Sequence, residues 1–322
     1  MSSGAALRVG VIHNARSTRN KKTLGELRGA FGGGPEVVQL DFEHGTSLAE
    51  LLDELAQREI GLLVVNGGDG TVQGVLTELL ERRPFAELPP VAILPRGMAN
   101  MTANDCGLQR RDPAIVRRLQ GLVRERRLAE HLVTRRVLRI DNIADAPPQW
   151  GMFFGAAGIY DAIHLCKGEV HTRGLKGELA NLVTLLHLLG NWAIGRKPAG
   201  MLEGEEVGMR LDGQERRGRQ LLVLATTLDR LVVRSRPYWR EELGPVRFTS
   251  IAHPPQRLVR SARQVLYGGN RERLPESYFS RGAHRVELDM GLPFTIDGQF
   301  FHARADAPLV ITAPQGVRFV RL

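Results

Sequence analysis

The stretch that most constrains the fold is Leu62-Leu63-Val64-Val65-Asn66-Gly67-Gly68-Asp69-Gly70-Thr71. Its apolar, partly β-branched opening predicts a buried strand. Three glycines around Asp69 then end the strand, and Val72, Val75, Leu76, Leu79 and Leu80 recur at helical spacing. Strand, glycine turn and helix form the usual geometry of a phosphate cradle. Glycine lets backbone approach a ligand closely, and a helix start offers N–H groups and a partial positive charge. Thr71 is the expected N-cap. The bland alternative is a tight turn that holds nothing. The segment has neither the Walker A lysine pattern nor the dinucleotide G-x-G-x-x-G fingerprint.

Strand and helix signals alternate on both sides of this stretch. Strands are expected at residues 7–14, 37–40, 62–66 and 91–94, and helices at 22–31 and from Ser47, where Glu50 completes a capping box. A further helix is expected to open at Asp112 and Pro113, with Arg117, Arg118 and Arg124 opposite an apolar stripe. This alternation predicts an α/β N-terminal domain with a doubly wound parallel sheet, in which ligands sit at the carboxyl ends of the strands. Three such ends are polar, the second and third with glycine: residues 14–17, 67–71 and 95–100. Their convergence favours a nucleotide-like ligand.

Beyond residue 131 the pattern changes to short strands with turn signals, including Asp212-Gly213 and Asp297-Gly298. A mainly β, sandwich-like C-terminal domain with inserted helices near residues 177–192 and 255–267 is expected. The domains are set at residues 1–133 and 134–322, with the final strand able to pack back on the first. With 322 residues, the chain is long enough for two cores.

The net charge of +9 suggests an anionic partner. Two cysteines exclude a disulfide framework and argue against a cysteine-built zinc site. No aromatic-interleaved basic motif points to nucleic acid, so no nucleic-acid partner is expected. The longest apolar segment, residues 179–194, contains Asn181, His187 and Asn191 and is too short and polar for a membrane span. The expected location is the cytoplasm, with peripheral membrane contact.

Together these pieces resemble the diacylglycerol kinase catalytic-domain family, whose relatives include sphingosine, ceramide and bacterial lipid kinases and, more distantly, NAD kinase. Gly67-Gly68-Asp69-Gly70-Thr71 matches its glycine-rich nucleotide motif. Leu94-Pro95-Arg96-Gly97-Met98-Ala99-Asn100 is similar to its Pro-x-Gly-Thr-x-Asn motif, and Asn14 and Ser17 to its opening Asn-Pro-x-Ser-Gly loop. Residues 157–162 resemble the start of its lipid-facing part, and Ile296-Asp297-Gly298-Gln299 its late Asp-Gly-Glu motif.

The resemblance implies ATP, Mg2+ and phosphoryl transfer to a lipid hydroxyl at an anionic membrane surface, with the lipid entering between the domains. It implies nucleotide contacts from Asn14, Arg16, Ser17, Gly67, Gly68, Gly70, Thr71, Arg96, Gly97 and Asn100, and a lipid contact from Asp161. Asp69 either orients magnesium or the acceptor hydroxyl, or is a turn carboxylate. Asp161 has helix capping as its alternative.

The chain departs from the pattern in several places. Ala15 stands where proline is usual, Thr18 where glycine is, Met98 where threonine is, and Gln73-Gly74 where Asn-Glu is. The acidic segment that helps place magnesium falls near Glu241-Glu242-Leu243-Gly244. Gln299 occupies the position of the family's assigned general base, and a neutral amide is not a useful base. Either Asp69 or Asp297 takes that role, or the protein is a catalytically weakened nucleotide- or lipid-binding protein. NAD kinase activity is a further alternative.

Overall fold

The computed structural model describes residues 7–17, 20–32, 36–97, 99–108, 113–164, 204–269 and 271–322. The expected helix at residues 177–192 lies outside them. The chain groups into two compact units, residues 1–135 with 316–322, and residues 136–315.

In the first unit, strands β1 (Val9–Asn14), β2 (Val37–Phe42), β3 (Leu62–Gly67) and β4 (Val91–Pro95) alternate with helices α1 (Asn20–Phe31), α2 (Leu48–Gln57) and α3 (Asp69–Glu81). Two more helices follow, α4 (Met101–Cys106) and α5 (Ala114–Arg124). The strands are parallel, in the order β4-β3-β1-β2. The chain moves outward one way from β1 to β2 and the other way from β3 to β4. The switch point is therefore the gap between the carboxyl ends of β1 and β3. β1, β3 and β4 are buried almost throughout, as a sheet covered by helices on both faces requires.

Each helix buries the stripe that its spacing predicts. α3 buries Val72, Val75, Leu76, Leu79 and Leu80, and α5 buries Ile115, Leu119 and Leu122 while Arg117, Arg118 and Arg124 stay exposed. The α2 capping box is present. Two expected caps differ. α3 is capped by Gly68 rather than Thr71, so the helix begins inside the glycine run and Thr71 lies within its first turn. Pro113 is the cap residue of α5 rather than its first helical residue.

The second unit is antiparallel. Its elements are β5 (Leu132–Asp141, starting in the first unit), β6 (Gln149–Gly151), β7 (Phe153–Ala157), β8 (Glu205–Leu211), β9 (Gln214–Thr226) and β10 (Val246–Ala252). Helix α6 (Leu258–Tyr267) follows, then β11 (Tyr278–Ala283), β12 (Arg285–Asp289), β13 (Pro293–Ile296), β14 (Gln299–His302) and β15 (Leu309–Val320). β9 joins two layers. Its residues 214–220 pair with β8, which continues to β12, whereas residues 222–226 lie between β7 and β10. A strand that passes from one layer to the other makes the corner of a sandwich. Both layers contribute to one core, through Leu211, Val286 and Ile311 on one side and Phe154, Phe248 and Phe294 on the other.

β15 runs unbroken for 12 residues. β15 continues through Pro314, Gln315 and Gly316, because the Arg136 guanidinium donates to the carbonyls of Ala313 and Pro314, at 3.0 and 2.9 Å. Its first residues pair with β12. In the first unit, Phe319 pairs in parallel with Val91 of β4.

Candidate nucleotide site

The three polar strand ends meet in the first unit. At the end of β1, the Asn14 Oδ1 accepts the Arg16 N–H at 3.0 Å, and the Asn14 carbonyl accepts the Ser17 N–H at 3.1 Å and the Asn20 amide at 2.8 Å. The Asn20 amide also donates to the Asn66 carbonyl at 3.1 Å, which locks the loop to β3. Across the switch point, the Asn14 Nδ2 donates to the Thr71 hydroxyl at 2.8 Å.

The loops after β3 and β4 cross at their glycines. A methyl group on Gly68 would lie 2.9 Å from the Gly97 Cα, and one on Gly97 2.8 Å from the Gly68 Cα. Only glycine at both positions permits this approach. A side chain on Gly67 would meet Thr71 at 2.6 Å. Asn100 clamps the second loop from within. Its Oδ1 accepts the Gly97 N–H at 2.7 Å and its Nδ2 donates to the Gly97 carbonyl at 2.8 Å, while its own backbone is left-handed, with φ 51°.

Because the Asn100 side chain is turned to Gly97, it does not cap α4. Asp69 does so from the neighbouring loop, its Oδ1 accepting the Thr102 N–H at 3.3 Å. Asp69 also stands in the first turn of α3, where a carboxylate complements the helix dipole. Gly70 and Thr71 complete that turn. The Arg96 N–H donates to the Gly67 carbonyl at 3.2 Å, and its side chain is buried. Arg16 is exposed, with its guanidinium 5.9 Å from the Phe42 ring centre. Ser17 is buried beside Asn14. Of the ten predicted nucleotide contacts, all lie on these three loops. Met98 and Thr18 fall outside the described residues.

Beneath the loops runs a buried polar chain that the sequence reading passed over. The Gln39 amide donates to the carbonyls of Gly32 and Arg28, at 2.7 and 3.4 Å, which fixes its Oε1 as the acceptor for His13 Nε2 at 2.9 Å. His13 Nδ1 is then the acceptor for the Asn66 amide at 2.8 Å. Burial lowers the His13 pKa, in keeping with this neutral tautomer. The available signal was a histidine and an asparagine inside otherwise apolar strands.

The other predicted residues lie in the second unit. Asp297 and Gly298 form the two-residue turn between β13 and β14, with φ 47° and 83°. The buried Asp297 carboxylate accepts the Met152 N–H at 2.8 Å. Gln299 is exposed at the start of β14. Asp161 lies in helical residues 158–164 and is half-buried. Burial pushes its carboxyl pKa up, Glu205 adds to the rise, and His164 opposes it. Close by, the rings of Tyr160, His164 and Phe300 stand 5.0 to 5.7 Å apart.

A metal at Glu241-Glu242 does not fit this chain. Arg247 Nε donates to the Glu241 carboxylate at 2.8 Å, and Arg247 Nη2 donates to Asp229 at 2.7 Å. Arg236 reaches Glu241 at 3.2 Å. Guanidinium groups already supply the positive charge that these carboxylates need. Among the described residues, no cluster of three or more His, Cys, Asp or Glu side chains is placed to hold a metal ion. No helix among them is long and apolar enough to cross a membrane.

Residues 8–131, which contain all three loops, match the model of the diacylglycerol kinase catalytic domain. Over this stretch the chain is similar to that catalytic domain. Over 101 residues it is 34% identical to the "Probable lipid kinase YegS-like" protein of Enterobacter sp. (strain 638), covering 30% of this chain and 32% of that one. The protein of the same description from Yersinia pestis (strain Pestoides F) is 32% identical over 101 residues, 27% of this chain and 33% of its own. The match thus spans about a third of these relatives. The crystal structure of a diacylglycerol kinase from Bacillus anthracis str. Sterne superposes with a TM-score of 0.60 at 15% identity, over 99% of this chain and 98% of that one. Another chain from that organism gives 0.64, also at 15% identity, over 99% of both chains. This likeness is one of fold and takes in the antiparallel unit as well.

Proposed function

We propose that the protein is an ATP-dependent lipid kinase that transfers the γ-phosphate to a lipid hydroxyl. The observation that carries this reading is the Asn14–Thr71 hydrogen bond beside the Gly68–Gly97 crossing, at the switch point of a unit similar to the diacylglycerol kinase catalytic domain. A hydroxyl has one proton. Because Thr71 accepts from Asn14, that proton remains to be donated to a phosphate oxygen. The first turn of α3 adds backbone N–H groups and the positive end of a helix of 13 residues. Two bare glycines let the triphosphate lie against the backbone, and phosphoryl transfer needs chiefly such positioning and charge stabilisation.

Magnesium would arrive on the triphosphate and neutralise part of its charge. Asp69 is the carboxylate that this cradle offers to it or to the acceptor hydroxyl. Asp297 is the alternative acid, although its Oδ2 already accepts a backbone N–H. The half-buried Asp161 beside three rings supports a role at the lipid headgroup.

The test is transfer of labelled γ-phosphate to a panel of diacylglycerol, sphingoid base, ceramide and phosphatidylglycerol, with Asp69→Asn and Asp297→Asn run alongside. Labelling of one lipid, lost in Asp69→Asn, is expected. No labelling of any lipid by the folded protein would defeat the reading. Gln299 supports a second one, a nucleotide- or lipid-binding protein with weakened catalysis. It predicts calorimetric ATP binding without turnover and no gain from Gln299→Glu.

A further inference from the structure

We propose that α6 is an interfacial helix that docks the protein on an anionic lipid bilayer. The identity of the surface rests on the lipid kinase reading, and the rest stands on the helix itself. Its inner face buries Leu258, Ser261 and Val265, and Leu258 and Val265 pack against Leu221, Ile251 and Tyr278. That contact fixes which face points out. Val259, Arg263, Leu266 and Tyr267, at i, i+4, i+7 and i+8, line the outer side with Arg260 beside them. Val259 is 65% exposed and Tyr267 53%. Among the described residues only one other large apolar side chain, Leu243, is comparably exposed.

The charge on the helix itself has one sign. Residues 252–271 contain four arginines and neither aspartate nor glutamate. Arg271 turns inward, donating to the carbonyls of Tyr238 and Arg236. Arg257, Arg260 and Arg263 remain exposed. A solvated basic helix would need no apolar side chains on that face, and phosphate contacts of the nucleic-acid type would use the arginines alone. Arginines flanking a valine and a tyrosine match a bilayer interface, where cations meet anionic headgroups and the apolar groups and ring enter the boundary layer.

The experiment is co-sedimentation of the full-length protein with vesicles of phosphatidylcholine alone or mixed with phosphatidylglycerol. Tight binding only to the mixed vesicles, weakened by salt, is expected. Arg260→Glu with Arg263→Glu should lower affinity at least about 25-fold, from about fivefold per arginine removed. Arg117→Glu with Arg118→Glu on α5 carries the same charge change and should cost less than about threefold if the site is local. Val259→Ser with Tyr267→Ser should also weaken binding. Added protection of residues 256–269 in hydrogen exchange of the unaltered protein on vesicles reads the same surface without substitution.

Equal losses from the two arginine pairs would overturn the proposal. So would unchanged binding by Val259→Ser with Tyr267→Ser, unaltered exchange on vesicles, or equally tight binding to duplex DNA. A protein that binds mixed vesicles through α6 yet labels no lipid would leave the docking surface standing and remove the kinase reading.

Discussion

Asn14 and Thr71 lie 57 positions apart in the chain, yet a 2.8 Å hydrogen bond joins the end of β1 to the first turn of α3. Its polarity matters as much as its length. The amide donates, so the hydroxyl proton is left for another acceptor. Asn14→Asp keeps the size but reverses this arrangement, because a carboxylate only accepts and adds negative charge beside the phosphates. Calorimetry should show ATP affinity reduced roughly tenfold or more in Asn14→Asp, and less in Asn14→Ala.

The proposed catalytic role of Asp69 is separable from its observed contact with the α4 N-terminus. As the cap of α4 it needs only an acceptor oxygen, which asparagine retains; toward a cation or a hydroxyl it needs its charge. Asp69→Asn should therefore leave thermal stability within about 0.5 kcal/mol, whereas Asp69→Ala should cost about 1 kcal/mol. Both should abolish phosphoryl transfer. Chemical denaturation of the two variants, read beside activity, checks this.

The Gly68–Gly97 crossing tolerates no side chain. Gly97→Ala would drive the two backbones apart at a contact of 2.8 Å. The expected result is a loss of about 2 kcal/mol in unfolding free energy, together with weakened ATP binding. Gly121→Ala, in α5 with no atom within 4 Å of the added methyl, is the control and should be neutral or slightly stabilising.

Arg247 takes the place that the resemblance assigned to a cation-binding segment. Arg247→Met should destabilise the protein by about 1 kcal/mol, since Asp229 and the Thr227 carbonyl each lose a donor while Glu241 keeps Arg236. Treatment of the nucleotide-free parent protein with EDTA should leave its thermal midpoint unchanged within the scatter of repeat scans. A midpoint that falls with EDTA and returns with magnesium would contradict the guanidinium assignment.

His13 makes stability depend on pH in a stated direction. Its folded pKa lies below the usual 6.5, because burial disfavours the imidazolium. The unfolded chain then binds the proton more readily than the folded one. Stability is fully present above 6.5 and is lost as pH falls toward the folded value. His13→Gln should show a shallower loss than the parent in urea titrations below pH 6.5.

The three loops were legible because each combines glycine or asparagine with the end of an apolar run, a local signal. The helix start at Gly68 was harder to place. Thr71 looked like a cap by residue type, but its hydroxyl serves Asn14, a partner distant in sequence. The unbroken β15 was hidden for a similar reason, since Pro314 and Gly316 are turn residues except where Arg136 takes up the carbonyls. The first half of β9, Gln214 to Gln220, is largely exposed and polar, so alternation gave little warning of it. The pairing of Glu241 with Arg247 involves residues only six apart, yet many such pairs in a basic chain go unmade. The His13–Gln39–Asn66 chain required knowing that β1 lies between β2 and β3.

The last residues of the chain belong to the first unit. Phe319 and Val320 are buried there, and the Arg321 N–H donates to the His131 carbonyl at 2.9 Å. During synthesis the ribosome makes β4 long before it makes the strand that pairs beside it. The nascent first unit must therefore wait, with one sheet edge open, until translation has passed through the whole antiparallel unit. Such an edge invites pairing with other chains. The interval between emergence of Val91 and emergence of Phe319 is thus the period in which a chaperone would have most to protect.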